Sequence, residues 1–575
     1  MHLVSVIKES SGTDIKQKYT LEYEKYDLLP NDYLTSKTDH WGYFNGNGLR
    51  IWGGTIAGID ILSLKQPDQN CLKYGTLSKI KYPTGGVTKI EYESNDFSSY
   101  KNLSRDAMVD SVGIGGGLRI KSITNYEDST LHKVLDYHYY TYKDPLTGKS
   151  SGQLFSKPIY YWDWFASPIK SSATYEIKMN RITSIIPLSN SFGPSIGYSY
   201  VEEYNSDNSW NSYHFSNIDN SSESRFLYEN REHTPSPYDK YTERGYMRGK
   251  LLEQDTYQGN SLIKKTTYEY RPESDMLSDT VLACNMKSVY GRGRAAGFHY
   301  IGGVYNICYP TCFLKKKVET QYDEGIPSVV TTDYDMREED VLTVYATTPN
   351  KHLCSHLINS DILKGIKTTR GNFSSEVKFV MDLGNLVSAS YILDPVSKEY
   401  YMNNQFVKRE KTIYKDYMYK GRIVPQPLYS IVDYQNVSDT IATYREYTPY
   451  GSLSMYDTKD GLRHFYGYTY HDQYLVAEGV CPSSDIPIIQ GKLWHLYSFN
   501  EENTFNLDQR LSEIKGCQNS YNITIYGYEK TWGLTSITEP NGRTTYFDQK
   551  GGYLNYIRDN NKNIIQHFKY NFKQK

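Results

Sequence analysis

The sequence lacks several features that would place it in a familiar functional class. It contains no window of about 18 apolar residues, so no transmembrane helix is predicted. Its first residues, MHLVSVIKESSG, contain neither a basic nor an apolar stretch, so no signal peptide is predicted. Lys and Arg number 64 against 66 Asp and Glu, which gives a net charge of -2. This balance gives no electrostatic reason to expect a nucleic-acid or anionic-membrane partner.

Cysteine is sparse and irregularly placed. The 7 cysteines are odd in number and follow no regular spacing, so no disulfide framework is predicted. One group could be a zinc site, because its spacing is compatible with metal ligation: Cys308, Cys312, His352, Cys354 and His356. The alternative is a set of free thiols and a His-flanked strand. The sequence has no second closely spaced cysteine pair, so we predict no metal and no other cofactor.

Tyrosine is the most unusual component of the sequence. There are 59 Tyr, against 18 Phe and 7 Trp, together with 42 Gly and only 11 Met. Tyr favours strands and has an apolar ring with a polar tip, so it suits a strand with one wet face. Apolar residues at helical spacing are scarce, apart from one short candidate helix within 492–516. The composition therefore predicts an all-β fold, and 575 residues predict several cores or one extended architecture.

Four segments repeat the same pattern: 74–93, 248–270, 450–470 and 532–563. Each begins with a glycine, alternates apolar and polar residues, turns at a second glycine and continues into a strand-like segment. The glycine pairs are Gly75 and Gly85, Gly249 and Gly259, Gly451 and Gly461, and Gly533 and Gly542; Asn541 precedes the last turn, and Tyr92, Tyr268 and Tyr546 lie in the returning strands. A repeat of about 20 residues predicts one hairpin unit that is stacked many times.

These repeats resemble the YD-repeat (RHS-like) family. The unit of that family is a leading Gly, an Asp- or Asn-Gly turn, then Thr and a Tyr-Asp or Tyr-Glu pair; PNGRTTYFD (540–548), GGVTKIEYE (85–93) and KKTTYEY (264–270) match it. In addition, LLPNDYLTSKTDHWGYFNG (28–46), YPTGGVTKIEYE (82–93) and GGLRIKSI (116–123) resemble blocks in large surface-associated proteins of Bacteroidetes-type bacteria. The resemblance implies repeated antiparallel hairpins that form an extended, curved sheet or a partial shell.

The resemblance also implies a cellular location and the absence of a C-terminal toxin. Such proteins are exported, so a cell-surface or secreted location is expected, although this chain begins without a leader and reads as a fragment. The chain ends about one strand after the last repeat, so no C-terminal toxin is expected. We predict one continuous architecture with five regions: an N-terminal YD-like β region (1–205), a loop-rich insertion (206–245), YD-like hairpins (246–290), an irregular Gly- and Cys-containing segment (291–360) and a C-terminal YD-repeat β region (361–575).

Three motifs resemble catalytic or phosphate-binding sites. The family's self-cleaving members use carboxylates near Asp-Pro, but Asp144 and Asp394 lack the required spacing and are interpreted as turn starts. Ser195 lies in GPSIG, which matches a nucleophile elbow, yet a strand-like segment follows where that elbow needs a helix. The segment GIGGGLRI (113–120) lacks the third glycine of a phosphate loop and is interpreted as a connector into a strand. No catalytic residue is therefore predicted.

Aromatic clusters are the candidate ligand contacts. The segment IYYWDWF (159–165) contains Tyr160, Tyr161, Trp162 and Trp164, and Trp41 lies in DHWGYFNG. These rings could stack on sugars, but burial is the simpler explanation, with a neighbouring strand paired to 159–165. Asp39 and His40 could look catalytic, although a turn that enters the Trp-Gly corner is simpler.

The sequence therefore predicts a non-enzymatic structural repeat protein, either a β-shell or a surface scaffold. The alternative is a surface module that binds carbohydrate or protein through the aromatic clusters. A third possibility is a hydrolase within the irregular central third of the chain. Self-association through open strand edges is predicted as well, because an incomplete repeat array leaves unpaired strand edges.

Overall fold

The computed structural model describes residues 2–9, 16–32, 34–48, 60–166, 175–188, 194–220, 244–271, 280–291, 297–308, 314–337, 362–379, 395–419, 422–435, 437–469, 471–483, 514, 516, 521–529, 533–550 and 553–571. Strands dominate these residues, which confirms the predicted all-β class. The described helical elements are short: α1 (Ile61–Leu64) and 3-10 turns at Tyr26–Leu28, Cys71–Lys73, Ile218–Asn220 and Gly245–Met247.

The strands are numbered in chain order. The first sixteen are β1 (His2–Glu9), β2 (Lys16–Tyr23), β3 (Leu77–Lys81), β4 (Val87–Lys101), β5 (Met108–Tyr126), β6 (Val134–Thr141), β7 (Gly152–Leu154), β8 (Tyr161–Ala166), β9 (Tyr175–Asn180), β10 (Ile196–Tyr198), β11 (Tyr200–Asn205), β12 (Ser209–Phe215), β13 (Leu251–Gln258), β14 (Ser261–Tyr270), β15 (Thr280–Gly291) and β16 (Gly297–Cys308). The second sixteen are β17 (Leu314–Asp323), β18 (Ile326–Arg337), β19 (Ile362–Arg370), β20 (Phe373–Phe379), β21 (Pro395–Met402), β22 (Gln405–Tyr419), β23 (Arg422–Tyr434), β24 (Val437–Tyr447), β25 (Leu453–Thr458), β26 (Leu462–Thr469), β27 (Tyr474–Pro482), β28 (Asn522–Glu529), β29 (Gly533–Thr538), β30 (Thr544–Lys550), β31 (Tyr553–Arg558) and β32 (Ile564–Asn571).

Most strands belong to one closed ring. Twenty-six strands pair antiparallel in the order β1 to β6, β11 to β14 and β17 to β32, and β32 pairs back with β1. The ring closes where Val6 pairs with Phe568 on one side and with Tyr19 on the other. β1 and β32 each pair with a strand on both sides. Neither therefore has the unpaired edge on which the predicted self-association depended. Self-association itself stays a prediction.

Six strands lie outside the ring. β7 pairs parallel with β4 and antiparallel with β10, whereas β8–β9 and β15–β16 form separate two-stranded ribbons. Regular strands also occur where the sequence analysis expects loops, since β12 lies within 206–245 and β16 to β18 overlap 291–360. β12 contains Ser and Asn, β16 contains Gly and β17 contains Lys, and backbone pairing with neighbouring strands overrides the low strand propensity of these residues. The proposed region boundaries stay predictions, and the candidate helix at 492–516 lies almost wholly outside the described residues.

The connections alternate between two rims, because neighbouring strands of the ring run in opposite directions. One rim, here called the turn rim, carries the short hairpin turns at 206–208, 259–260, 324–325, 371–372, 403–404, 435–436, 459–461, 539–543 and 559–563. The other, the connection rim, carries the long segments 24–76, 142–199, 216–250 and 271–313. The turn rim has one long segment, 483–521. The connection rim carries short turns as well, such as 102–107 and 448–452, so the rims differ mainly in where most of the long connections lie.

The hairpin turns follow from local sequence. Gly542 donates its backbone N–H to the carbonyl of Glu539 at 2.9 Å, and Glu539 donates to Arg543 at 2.8 Å, with Pro540 and Asn541 between them. The backbone at Gly542 has φ +80°, where only glycine avoids a Cβ clash. All eight repeat glycines have positive φ, from 56° to 102°: Gly75, Gly85, Gly249, Gly259, Gly451, Gly461, Gly533 and Gly542. Tyr92, Tyr268 and Tyr546 lie in the ring strands β4, β14 and β30.

Both faces of the ring are partly open to solvent. In β3, β11 and β12 every side chain is half-buried, whichever face it occupies. Among the described residues, two clusters of fully buried apolar side chains stand out. One joins β25 to β28 with Ile514 of the 483–521 segment, and the other contains Phe97, Leu154 and Ile196 near the connection rim. A wall of this kind, wet on both sides, explains why the sequence uses tyrosine rather than aliphatic residues.

Candidate functional site

The glycine-rich segment 113–120, whose sequence resembles a phosphate loop, lies near the connection rim. Gly113, Gly115, Gly116 and Gly117 all lie inside strand β5, and no helix follows them. A Cβ atom at Gly116 would lie 2.6 Å from Cβ of Trp41, closer than real contacts allow. Cβ atoms at Gly113 and Gly115 would likewise collide with Phe97 and Ile196. These glycines therefore leave the backbone of β5 bare, and large side chains from other segments pack directly against it.

The segment 38–46, here called the Trp41 corner, packs against these glycines. Oδ1 of Asp39 accepts the backbone N–H groups of Trp41 and Tyr43, both at 2.9 Å. Asp39 also donates its own N–H to the carbonyl of Tyr43 at 2.7 Å, so one carboxylate shapes the whole turn. Trp41 is half-buried against Gly116. This is the turn that the sequence analysis favoured over a catalytic role.

The corner gathers four polar side chains around Asp39. Nδ1 of His40 lies 2.7 Å from the hydroxyl of Tyr160, and Nε2 of His40 lies 3.3 Å from the side-chain nitrogen of Gln66. The ammonium of Lys65 donates to the carbonyl oxygens of Thr38 and Asp39, at 3.3 and 3.4 Å. Asp39 is 1% exposed and Tyr160 is 7% exposed. The His40–Tyr160 contact joins the corner to the segment that leads into β8, and the Asp39 carboxylate is almost wholly removed from solvent.

Burial shifts the ionisation of these groups. It raises the pKa of Asp39 to about 6 from the usual 3.8, although the N–H groups it accepts oppose the change. Burial, helped by the Lys65 cation, lowers the pKa of His40 to about 4 from the usual 6.5. Burial also lowers the pKa of Lys65. Within the described residues Oδ2 of Asp39 has no hydrogen-bond partner, which is consistent with a carboxyl group that is costly to ionise.

The two shifted groups predict opposite responses to acid. Asp39 binds its proton more tightly in the folded state, so acidification from pH 7 through 6 towards 4 stabilises the fold. His40 binds its proton more tightly in the unfolded state, so acidification from pH 6.5 to 4 destabilises the fold. We expect Asp39→Asn to lose stability relative to the wild type as the pH falls through this window, and His40→Asn to gain it. Urea midpoints at several pH values measure both, and equal slopes in all three proteins would contradict the prediction.

The remaining aromatic candidates do not form one flat surface. Tyr161 is 52% exposed and Trp162 is half-buried, and as neighbours in β8 they point to opposite faces of the ribbon. Strand β9 pairs with β8 along its whole length, as the sequence analysis expected of a neighbouring strand. Trp164 pairs with Ile177 in the backbone register, while its side chain lies outside the described part of the chain. Trp41 and Tyr160 are brought together, with the ring of His40 between them.

The other motifs have structural roles where they are described. Asp144 accepts the N–H groups of Leu146 and Thr147, at 2.8 and 3.0 Å, as the predicted turn start would. Ser195 precedes strand β10, so the helix that a nucleophile elbow needs is absent there. Asp394 lies outside the described residues, as do Cys312, His352, Cys354 and His356, and the side chain of Cys308 is not described either. Among the residues that are described, no group of three potential metal ligands lies together.

The sequence did not reveal a row of adjacent aromatic rings that crosses four neighbouring strands. Tyr139, Tyr204, Trp210 and Tyr257 face one another in sequence, with ring centroids 6.3, 5.7 and 4.0 Å apart. The Trp210 and Tyr257 rings are nearly parallel, at 5°. Sugars stack on exposed ring faces, whereas Tyr204 and Trp210 each have another ring on both sides. The row therefore joins strands, and its signal was the aromatic residues at same-face positions of neighbouring strands, Tyr137 and Tyr139 in β6 and Tyr200 and Tyr204 in β11.

Comparison with known proteins gives only a remote likeness. No protein-family model and no curated protein matches the chain. A TcdB2-TccC3 structure without the hypervariable C-terminal region is similar over 85% of this chain and 24% of its own, at 8% identity and a TM-score of 0.32. The TcdB2-TccC3-TEV structure covers 86% and 24%, at 10% identity and a TM-score of 0.23. A Photorhabdus luminescens Tc holotoxin pore with mutated TccC3 covers 95% and 26%, at 8% identity and a TM-score of 0.16.

This chain therefore spans about a quarter of the length of those structures. Among the described residues no helix is long and apolar enough to cross a membrane.

Proposed function

We propose that this chain is a non-enzymatic structural shell, a wall of strands around an enclosed space. The observation that carries the proposal is the pairing of β1 with β32, which turns a row of hairpins into a closed ring of 26 strands. Neighbouring strands lie about 4.8 Å apart, so the perimeter of the ring measured perpendicular to its strands is roughly 125 Å. Side chains that are half-exposed on both faces fit a wall with solvent on each side.

A non-enzymatic role is supported by how the polar groups of the Trp41 corner are used. Asp39 and Lys65 hold backbone groups, and His40 contacts Tyr160 and Gln66. A general acid or base has to reach a substrate, and these buried groups are occupied by the fold itself. A surface or secreted location in a bacterium, and a shell without toxin cargo, belong to the same proposal through the YD-repeat resemblance.

Adjacent residues on one ring strand test the enclosed space. Lys367 and Thr368 lie in β19 and point to opposite faces of the wall. We expect Lys367→Cys and Thr368→Cys both to react with a small maleimide, whereas only one reacts with a maleimide that carries a bulky polymer. Labelling is quantified peptide by peptide, so the native cysteines do not interfere.

Each other outcome of that experiment rejects the shell. If both positions react with the bulky reagent, the sheet is open and both faces are outside. If one position does not react even with the small maleimide, that face of the sheet is packed against a solid core. A ring opened by Val6→Pro serves as the matched control, in which the protected position is expected to react with the bulky reagent.

The alternative, a module that binds carbohydrate through aromatic clusters, gains no support from a described observation. Tyr160 is buried, and Tyr161 and Trp162 lie on opposite faces of β8. Glycan-array binding that is lost on Trp162→Ala and Trp164→Ala would favour this alternative over the shell.

A further inference from the structure

We propose that Asn47 is a site of spontaneous chemical modification, at which the side-chain amide is lost and an aspartate or isoaspartate residue is formed. The proposal rests on a comparison of the three Asn-Gly pairs in the sequence: Asn45-Gly46, Asn47-Gly48 and Asn541-Gly542. Because the pairs consist of the same two residues, the sequence alone gives them the same reactivity, whereas the structure separates them. The inference does not depend on the shell.

The reaction joins the side chain of an asparagine to the backbone of the next residue. The backbone nitrogen of Gly48 attacks Cγ of Asn47, a C–N bond forms, and the side-chain amide leaves as ammonia with the proton of the Gly48 N–H. Water then opens the resulting cyclic succinimide at one of its two carbonyl carbons, which gives either aspartate or isoaspartate. One water molecule is consumed and one ammonia is released, so no other reactant is needed. Glycine favours ring closure because it has no Cβ beside the attacking nitrogen.

Both groups that react at Asn47 are accessible. Asn47 and Gly48 are exposed. Within the described part of the chain, neither the side chain of Asn47 nor the N–H of Gly48 makes a hydrogen bond; only the backbone N–H of Asn47 does, to Oδ1 of Asn45 at 3.0 Å. The side chain of Asn47 can therefore rotate until its Cγ meets the nitrogen of Gly48.

The neighbouring pair, Asn45-Gly46, is held against the same reaction. Asn45 is only 2% exposed. Its Nδ2 donates to the carbonyl oxygens of Leu64 and Gln66, both at 3.0 Å, and its Oδ1 accepts the N–H of Asn47. Rotation of the Asn45 side chain would break all three hydrogen bonds and leave buried polar groups unpaired, which is costly.

The third pair, Asn541-Gly542, is exposed but is held by its hairpin turn. The attacking N–H of Gly542 donates to the carbonyl oxygen of Glu539 at 2.9 Å. Oδ1 of Asn541 accepts the N–H of Arg543 at 2.9 Å, and its Nδ2 donates to the Glu539 carboxylate at 3.2 Å. Because these hydrogen bonds have to break first, the reaction at Asn541 is expected to be slower than at Asn47 by roughly tenfold or more.

Incubation of the purified protein tests this order. We expect peptide mapping by mass spectrometry to show that Asn47 gains one mass unit roughly tenfold faster than Asn541, and that Asn45 is slower still. Fragment ions distinguish Asn45 from Asn47, which lie in the same peptide. Incubation in urea is the matched control. Without turns and burial, the three pairs are expected to react at similar rates.

The products and one variant test the chemistry itself. The new carboxylate adds one negative charge to the net charge of -2, so an acidic species is expected in isoelectric focusing. Part of the product is expected to accept a methyl group from an isoaspartyl methyltransferase, whereas direct hydrolysis of the amide would give no isoaspartate. Gly48→Ala is expected to slow the reaction by roughly tenfold or more, because its Cβ lies beside the attacking nitrogen.

Two results overturn the proposal. One is an Asn47 that stays unmodified in the folded protein although it reacts in urea. The other is a folded protein in which Asn541 reacts as fast as Asn47, since the hydrogen bonds of the turn would then not control the reaction. Thermal melting of Gly48→Ala checks that a slower reaction does not come from a changed fold; its Cβ would lie 3.7 Å from the flexible side chain of Lys37, an ordinary contact.

Discussion

Val6→Pro is expected to open the ring. Val6 occupies the middle of the register that β1 shares with both β2 and β32, opposite Tyr19 and Phe568. Proline removes a ladder hydrogen bond in a central strand and leaves the acceptor unpaired, and the cost is expected near the top of the range of about 1–3 kcal/mol for such a loss. Backbone hydrogen exchange in β32 is therefore expected to accelerate by roughly 100-fold, because each 1.4 kcal/mol corresponds to about a factor of ten.

A proline in a separate ribbon is the matched control. Met286 pairs with Gly302 in the middle of β15–β16, which shares no described pairing with the ring. Met286→Pro is expected to accelerate exchange in that ribbon and to leave β32 unchanged. If Val6→Pro leaves the exchange of β32 and β2 at wild-type rates, β1 does not close the ring and the shell proposal fails with it.

Local chemistry made the hairpins predictable. Pro540, Asn541 and Gly542 set the backbone of their own turn, so a few neighbouring residues sufficed to predict it. The all-β class followed from the same repeated signals and is confirmed. Closure of the ring could not be read in this way, because Val6 and Phe568 lie at opposite ends of the sequence and neither carries a signal for the other.

In the candidate site, too, local turns were predictable and contacts between distant segments were not. The turn at Asp39 was predictable, since a short acceptor followed by Trp-Gly favours such a corner. The contact between His40 of this turn and Tyr160, however, links segments that are 120 residues apart in the sequence. Strand β12 was missed because Ser209, Asn211 and Ser212 look like loop residues. Their strand is formed by pairing with β11 and β13 on either side.

Gly116→Ala is expected to displace the Trp41 corner. The new Cβ would lie 2.6 Å from Cβ of Trp41 and 2.9 Å from Cγ and Cε3. Cβ of Trp41 is fixed to the backbone of the turn that Asp39 organises, so it cannot swing aside as the end of a long side chain could. Overpacking of this kind costs about 1–3 kcal/mol, and the upper part of that range is expected here. Urea unfolding and Trp fluorescence measure the loss.

Two further variants isolate the cause of that loss. Gly48→Ala places its Cβ 3.7 Å from the flexible side chain of Lys37, an ordinary contact, so it is expected to change stability by less than about 0.5 kcal/mol. Combining Gly116→Ala with Trp41→Gly removes the colliding atoms, so the two changes are expected to cost less together than the sum of their separate costs. Simple additivity would mean that Gly116 does not support Trp41. The glycine run of β5 would then lack its packing role, whereas a coupling of about 1 kcal/mol or more would establish it.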